Sequence, residues 1–221
     1  MPANQSPPDQ SHDFGAQEFA AAINVSRETI ENFKIYQDML REWNGIHNLV
    51  SKRSLPHLWQ RHFLDSAQIF RYLPTTATSL VDLGTGAGFP GLVLAEILRD
   101  RKRFRTVVYE STGKKCRFLE AVTKRLGLNV EIRNSRVEAA QDEVFDIVTA
   151  RALAPLPDLL AYAQRFFGHN TTGLFLQGQN IASELTQTHK SWKMITRQHP
   201  SISDPSGIIL EVRELKSVRE N

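Results

Sequence analysis

Val81-Asp82-Leu83-Gly84-Thr85-Gly86-Ala87-Gly88-Phe89-Pro90-Gly91 is the stretch that decides how this chain folds. It closes a short apolar run, Ser79–Leu83, and opens a helical pattern near residues 90–99. A strand, a glycine-rich turn and a helix at the head of an α/β region place a ligand site beyond the strand's carboxyl end. Glycines there permit positive φ and let the backbone approach a ligand closely. Two registers compete. Gly86, Gly88 and Gly91 fit G-x-G-x-x-G, the dinucleotide-binding fingerprint. Asp82, Gly84, Gly86 and Gly88 instead fit D-x-G-x-G-x-G. The second begins at the strand end and sets an acid where a cationic, amine-bearing ligand is welcome. In the first, the glycines start late and Asp82 faces a pyrophosphate at poor electrostatic advantage.

Outward from this turn, short apolar runs alternate with helical stretches. The strands are expected at Ser79–Leu83, Thr106–Glu110, Val130–Arg133, Phe145–Ala150 and Gly173–Gln177. Helices are expected near 90–99, 113–126, 155–167 and 180–190. Such alternation predicts parallel βαβ units with helices on both faces. Trp192–His199 and Ile208–Arg213, separated by the turn-rich Pro200–Gly207, predict a closing antiparallel hairpin. The sum is a doubly wound, mostly parallel, seven-stranded α/β sheet of Rossmann-like type. Residues 14–75 precede it as an N-terminal helical extension. There, Ser26 caps a helix ended by Gly45, and Ser54 opens a second helix running to Leu73. Residues 1–13 read as a disordered tail, without the basic and apolar segments of a secretion signal. Residues 76–221 are then the ligand-binding domain.

The 221 residues carry 27 basic and 24 acidic side chains, and the +3 excess is local. Residues 99–151 hold 13 basic and 8 acidic groups, enough for a face toward nucleic acid. The densest part, Arg99–Arg105, precedes the second strand and so falls at the end opposite the glycine turn. A single cysteine, Cys116, excludes a disulfide scaffold and a cysteine-rich metal site, and fits a reducing, cytoplasmic setting. It lies in a helix and reads as a packing residue. No apolar run reaches the ~18 residues of a membrane span.

The D-x-G-x-G-x-G register resembles the first motif of S-adenosylmethionine-dependent methyltransferases. It is favoured by length as well, since the residues after Gly91 are used up by one sheet. Glu110 ends the second strand, where a carboxylate can accept both hydroxyls of a ribose. The turn after the third strand, Ser135-Arg136-Val137-Glu138, can read an adenine edge with its backbone. The turn after the fourth strand reads Thr149-Ala150-Arg151-Ala152-Leu153-Ala154-Pro155. It lacks the Asn/Asp-Pro-Pro-aromatic loop of exocyclic-amine methylation and the Pro-Cys nucleophile of attack at pyrimidine carbons. No His or Glu stands out as a general base. A ring nitrogen such as guanine N7 needs none, because it offers a free lone pair. Catalysis is then positioning, worth up to ~7–11 kcal/mol. Arg151 is the candidate to hold the target, a salt bridge or a cofactor contact being equally open. Lys114 and Lys115 sit in a helical first turn against the helix dipole, which points to a nearby phosphate.

Together these residues resemble one family: the bacterial 16S ribosomal RNA guanine-N7 methyltransferases (glucose-inhibited division protein B, or ribosomal RNA small subunit methyltransferase G). The matching segments are Trp43-Asn44 with Asn48-Leu49, and Trp59 with Arg61-His62 and Asp65-Ser66. They continue through Asp82–Gly91, then Glu110-Ser111 with Lys114-Lys115 and Phe118-Leu119. Arg136 with Glu138, and Phe145-Asp146 with Arg151-Ala152, complete them over about residues 40–185. The resemblance implies a class I methyltransferase fold binding S-adenosylmethionine through Gly84, Gly86, Phe89, Glu110, Val137, Glu138 and Arg151. It also implies a partner that is 16S RNA or the small ribosomal subunit; from their place in the helix, Lys114 and Lys115 are expected to contact that RNA, and no metal is expected. A monomer is expected. One departure is Gln177-Gly178, where family members carry a lysine before the glycine. Three other classes stay open at this point: the same fold acting on a small molecule or protein, an NAD-dependent oxidoreductase, and a non-catalytic RNA-binding module.

Overall fold

The computed structural model describes residues 14–178 and 181–218. The tail expected at 1–13 lies outside the described residues, as do 179–180 and 219–221.

Two helices come first, α1 (Ala16–Ile23) and α2 (Arg27–His47). Ser26 caps α2 as expected, its Oγ accepting from Thr29 N–H at 3.1 Å. Ile30, Phe33, Tyr36, Leu40 and Asn44 recur at three- and four-residue spacing and are buried, the stripe of an amphipathic helix. The helix does not end at Gly45. It runs on to His47 and stops at Asn48, whose φ of +48° closes it. Asn tolerates the left-handed region, so a second stop residue was available three positions on. The single helix expected from Ser54 to Leu73 is also not what forms. The chain winds as 3₁₀ (Leu55–His57), π (Trp59–Leu64), α (α3, Asp65–Ala67) and 3₁₀ again (Gln68–Tyr72). In the π stretch Asp65 N–H reaches back to Gln60 O. Such wide turns recur at functional sites, and this one carries Arg61 and His62.

The rest follows the alternation: β1 (Ser79–Leu83), α4 (Gly91–Ile97), β2 (Arg105–Tyr109), α5 (Gly113–Leu126), β3 (Val130–Arg133), β4 (Ile147–Arg151) and α6 (Leu156–Ala163). β5 (Thr172–Gln177), α7 (Ile181–Thr188), β6 (Trp192–Pro200) and β7 (Ile208–Ser217) complete it. The seven strands form one sheet in the order β3-β2-β1-β4-β5-β7-β6. β1 to β5 are parallel, and β7 joins β5 and β6 antiparallel as the closing hairpin. β2 starts and stops one residue early, and β4 begins two residues late and takes in Arg151. Alternate residues of the central strands face opposite layers. Val81, Leu83, Val107, Tyr109 and Val148 pack with α6 and α7. Leu80, Val108, Ile147 and Leu174 pack with the other helices.

That second layer includes the N-terminal extension. Phe19, Phe33, Tyr36 and Leu40 share one core with Phe89, Leu92, Val108, Phe118 and Leu119. The order of strands reverses at β1, which pairs with β2 on one side and β4 on the other. In open α/β sheets the crevice at such a switch point is where ligands bind.

Candidate active site

The glycine turn lies at that crevice. Thr85 N–H donates to Tyr109 O at 2.9 Å, and Thr85 O accepts from Gly88 and Phe89 N–H, both at 2.9 Å. Gly86 sits at φ +61° with open space where a Cβ would stand, and it lines two adjoining cavities. Gly88, at φ +96°, faces protein instead: a Cβ would lie 2.1 Å from Tyr36 Oη and 3.1–3.2 Å from Leu92 and Leu119. The Tyr36 hydroxyl donates to Ala87 O, and burial holds its phenol well above the ordinary range. The second glycine of a dinucleotide turn must admit a pyrophosphate. Tyr36 fills that space, so the D-x-G-x-G-x-G register is the one the turn is built for.

Asp82 does not reach the crevice. It is fully buried, accepting from Gly91 N–H at 2.9 Å and from Thr149 Oγ1 at 2.8 Å. The expectation of an acid meeting a cationic ligand is therefore wrong for Asp82. Its work is to fasten the start of α4 to the sheet. Burial pushes its pKa up to about 6, and the hydrogen bonds from Thr149 and Gly91 and the nearby Arg151 charge hold back part of that rise.

One cavity, of about 350 Å³, is lined by Gly84, Gly86, Glu110, Val137 and Glu138. Five of the seven residues assigned to a cofactor from the sequence thus meet on one wall. Glu110 is buried beneath the turn. Its Oε2 accepts from Gly86 N–H at 3.0 Å and its Oε1 from Thr112 N–H at 2.7 Å. Each oxygen keeps a second lone pair for a diol. Val137 and Glu138 lie on a 3₁₀ turn (Val137–Ala139). Arg165 pins that turn by donating to Glu138 O at 3.0 Å and Ala140 O at 2.6 Å. Cys116 is buried and its thiol donates to Glu110 O at 3.3 Å, a packing role as expected.

The remaining two, Phe89 and Arg151, line the neighbouring cavity of about 480 Å³, which shares Gly84, Gly86, Ala152 and Lys115 with the first. Ala152 adopts φ +49°, a strained backbone of the kind that gathers at functional sites. The paired lysines part company. Lys115 lines both cavities, whereas Lys114 is exposed and lines neither. Gln177 ends β5 opposite Ile208 and lines neither cavity.

Arg151 is held on several sides. Its guanidinium donates to Arg61 O at 3.1 Å and to His62 Nδ1 at 2.9 Å, and pairs with Asp65 at 3.4 Å. Its Cζ stands 5.1 Å over the Phe89 ring. His62 was missed as a site residue. Burial, then the charges of Arg151 and Arg61, push its imidazole down to about 3. A guanidinium can only donate, so Nδ1 is the acceptor and Nε2 carries the proton. The sequence signal was the Arg61-His62 pair itself, but only the π turn brings it to the cavity.

The basic heptad Arg99–Arg105 does lie away from the site. Arg99 pairs with Glu96 and Glu28, Arg105 with Glu131 and Glu143.

A family model described as GidB, rRNA small subunit methyltransferase G, matches residues 29–207 of this chain. The chain belongs to this family. A relative from Parvibaculum lavamentivorans, named ribosomal RNA small subunit methyltransferase G, is 46% identical over 202 residues, 90% of this chain and 89% of that one. A relative of the same name from Caulobacter vibrioides is 43% identical over 201 residues, covering 91% and 92%. Among solved structures, the SAH-bound Podospora anserina methyltransferase PaMTH1 superposes with a TM-score of 0.57 at 14% identity, over 96% of this chain and 99% of that one. A SAM-dependent methyltransferase from Aquifex aeolicus gives 0.56 at 13% identity, over 71% and 93%. The fold is that of the class I methyltransferases. Membership in GidB makes the chain a ribosomal RNA methyltransferase, with S-adenosylmethionine as its methyl donor. The cradle fits that group: a glycine turn open toward the cavity, a buried carboxylate beneath it, and a cationic wall beside it. No described helix is long and apolar enough to cross a membrane.

Proposed function

We propose that this enzyme methylates N7 of one guanine in 16S ribosomal RNA, as a cytoplasmic monomer acting on the RNA or the small-subunit particle. The reading takes residues 76–221 as the catalytic domain and 14–75 as an extension packed on it. The observation that carries it is the lining of the second cavity. Among the described residues its ionisable side chains are Arg61, His62, Lys115 and Arg151, with no carboxylate among them. His62 already accepts from Arg151 at Nδ1, so it has no free lone pair to take a proton. A nucleophile that must first be deprotonated finds no partner there. Guanine N7 needs none.

The bound cofactor supplies an electrophilic sulfonium methyl. Glu110 is placed to accept the ribose hydroxyls, the Val137-Glu138 backbone to meet the adenine, and Gly84, Gly86 and Phe89 to line the path toward the second cavity. Arg151, fixed by Arg61 O, His62 and Asp65, presents a cation to the incoming base. Rate enhancement then comes from alignment and from a fixed electrostatic environment. Lys115, between the two cavities, is the lysine suited to a phosphate. Lys114 can add only a peripheral charge.

The test is mass spectrometry of 16S RNA from a deletion strain. N7-methylguanosine at one position should vanish, return with the wild-type gene, and stay absent with Arg151→Ala. An unchanged N7-methylguanosine content, or loss of a modification on another atom, defeats the reading.

A further inference from the structure

A third cavity, of about 380 Å³, opens between the Arg53–Asp65 stretch and the turn of the β6–β7 hairpin. Arg53, His57, Gln60 and Arg61 line one wall, and Ser203 to Pro205 the other. Arg53, His57 and Arg61 are exposed. Arg53 and Arg61 make no ion pair among the described residues. The two acids of the groove take their hydrogen bonds from other residues, although Arg61 lends its charge to Asp204. Asp204 accepts from Ser206 N–H at 2.9 Å and Ser206 Oγ at 2.7 Å, which hold its carboxyl below the usual range. Asp65 accepts from Ser203 Oγ at 2.6 Å and Gln68 Nε2 at 3.0 Å, and pairs with Arg151. The groove therefore presents two exposed guanidinium groups outside any ion pair among the described residues, Arg61 within electrostatic reach of Asp204 and Arg53 with no charged partner there.

Its walls are fixed. Gln68 is buried at 1% exposure and spans the two sides, donating to Ser203 Oγ at 3.1 Å and accepting from Ile202 N–H at 2.8 Å. Gln60 donates to Ser203 O at 3.1 Å. The groove also adjoins the active site, because Arg61 lines both this cavity and the one holding Arg151.

We propose that this groove is a phosphate-binding subsite for the RNA strand flanking the target nucleotide, with Arg53 and Arg61 as its principal contacts. The inference rests on the RNA reading above and adds a site to it. Segment charge conceals the groove: residues 1–75 hold 7 basic and 8 acidic groups, and of those acids only Asp65, paired with Arg151, lines it.

The experiment is filter binding of 16S RNA purified from a deletion strain, from about 50 to about 200 mM salt. Each lost contact to single-stranded phosphate should flatten the log–log salt slope by about 0.7. Arg53→Gln and Arg61→Gln should each do so, and the double variant by about 1.4. The charge-keeping Arg53→Lys/Arg61→Lys variant should restore the slope, which a purely structural role would not predict. Lys102→Gln/Arg103→Gln, at the far end of the sheet, should leave it unchanged. Melting temperatures report that the variants are folded. The groove inference is overturned by an unchanged slope in the folded double variant, by a slope that lysines do not restore, or by an equal effect from the distal pair. It is overturned too if only binding to the intact particle weakens, which would assign the groove to a ribosomal protein. Failure of the wild type to bind either this RNA or the intact particle defeats the RNA reading itself.

Discussion

Replacing Gly88 by Ala separates the two roles within the glycine turn. The added Cβ would lie 2.1 Å from Tyr36 Oη, at a φ of +96°. Tyr36 cannot step aside cheaply. It is fully buried, stacked on Phe89 with centroids 5.5 Å apart, and bonded to Ala87 O. The unfavourable backbone costs roughly 1–2 kcal/mol. Overpacking adds roughly 1–3 kcal/mol, and loss of the tyrosine hydrogen bond roughly 1–3 kcal/mol. Even the low end, about 3 kcal/mol, is a large share of a stability of roughly 5–15 kcal/mol. At about 2–4 °C per kcal/mol for this length, calorimetry should show a fall of at least ~6 °C. Gly86→Asp provides the contrast. Its position is left-handed but open, and Asp tolerates that region, so the melting temperature should move by less than ~4 °C. Its side chain enters the cofactor cavity, so titration with S-adenosylmethionine should show at least a 100-fold loss, about 2.7 kcal/mol. If Gly88→Ala melts with wild type, or Gly86→Asp still binds the cofactor, the assignment of the two glycines is wrong.

Two further substitutions probe the supports of the site. Tyr36→Phe leaves the buried Ala87 carbonyl without its donor and should cost about 1–3 kcal/mol, seen as a lower urea midpoint at constant m. A shift below ~0.5 kcal/mol would mean that the contact does not hold the turn. Asp82→Asn tests the buried acid. With a native pKa of about 6 against 3.8, Asp82 favours the folded state fully below pH ~4, and that contribution is lost as pH rises through about 6. The loss is on the order of 3 kcal/mol. His62, lowered from 6.5 to about 3, acts with the opposite sign over an overlapping range, so the wild-type curve alone hides the effect. The melting temperature of Asp82→Asn minus that of wild type should rise by several degrees between pH 4 and pH 6. Parallel curves would refute the buried charge.

The sheet was legible because its strands are short apolar runs set between helical stripes, and the central ones, β1, β2, β4 and β5, are buried on both faces once folded. β1, β3 and α5 form at the limits read from the sequence, and the antiparallel hairpin closes the sheet as expected. The residues of the first cavity were legible for a related reason. They sit at strand ends, and topology alone carries strand ends to one edge. What failed depended on side-chain direction or on helix winding. Asp82 has the right position but lies one residue before the strand end, and the alternation of a strand turns it into the core. Lys114 and Lys115 are neighbours in sequence and point about 100° apart around α5, so only one meets the cavities. Leu55 to Leu73 has a helical pattern of apolar residues, yet the pattern does not report where the winding widens to five-residue spacing. That widening decides what Arg61 and His62 face.

The lining of the second cavity assigns the extension a part in the chemistry. Phe89, Lys115 and Arg151 come from the sheet domain, but Leu49, Val50, Ser51, Arg61 and His62 come from residues 14–75. The same segment supplies Tyr36, which closes the glycine turn against a longer ligand, and the carbonyl and imidazole that aim Arg151. The first cavity, by contrast, draws on none of it. A wall built from the common fold can hold a cofactor in any enzyme of this architecture. A wall built from the extension is free to differ among them. On the proposed reading, selection of the methyl acceptor falls to the helices that precede the sheet. Substitutions at Val50 or Ser51 should alter the choice of nucleotide before they alter the affinity for S-adenosylmethionine.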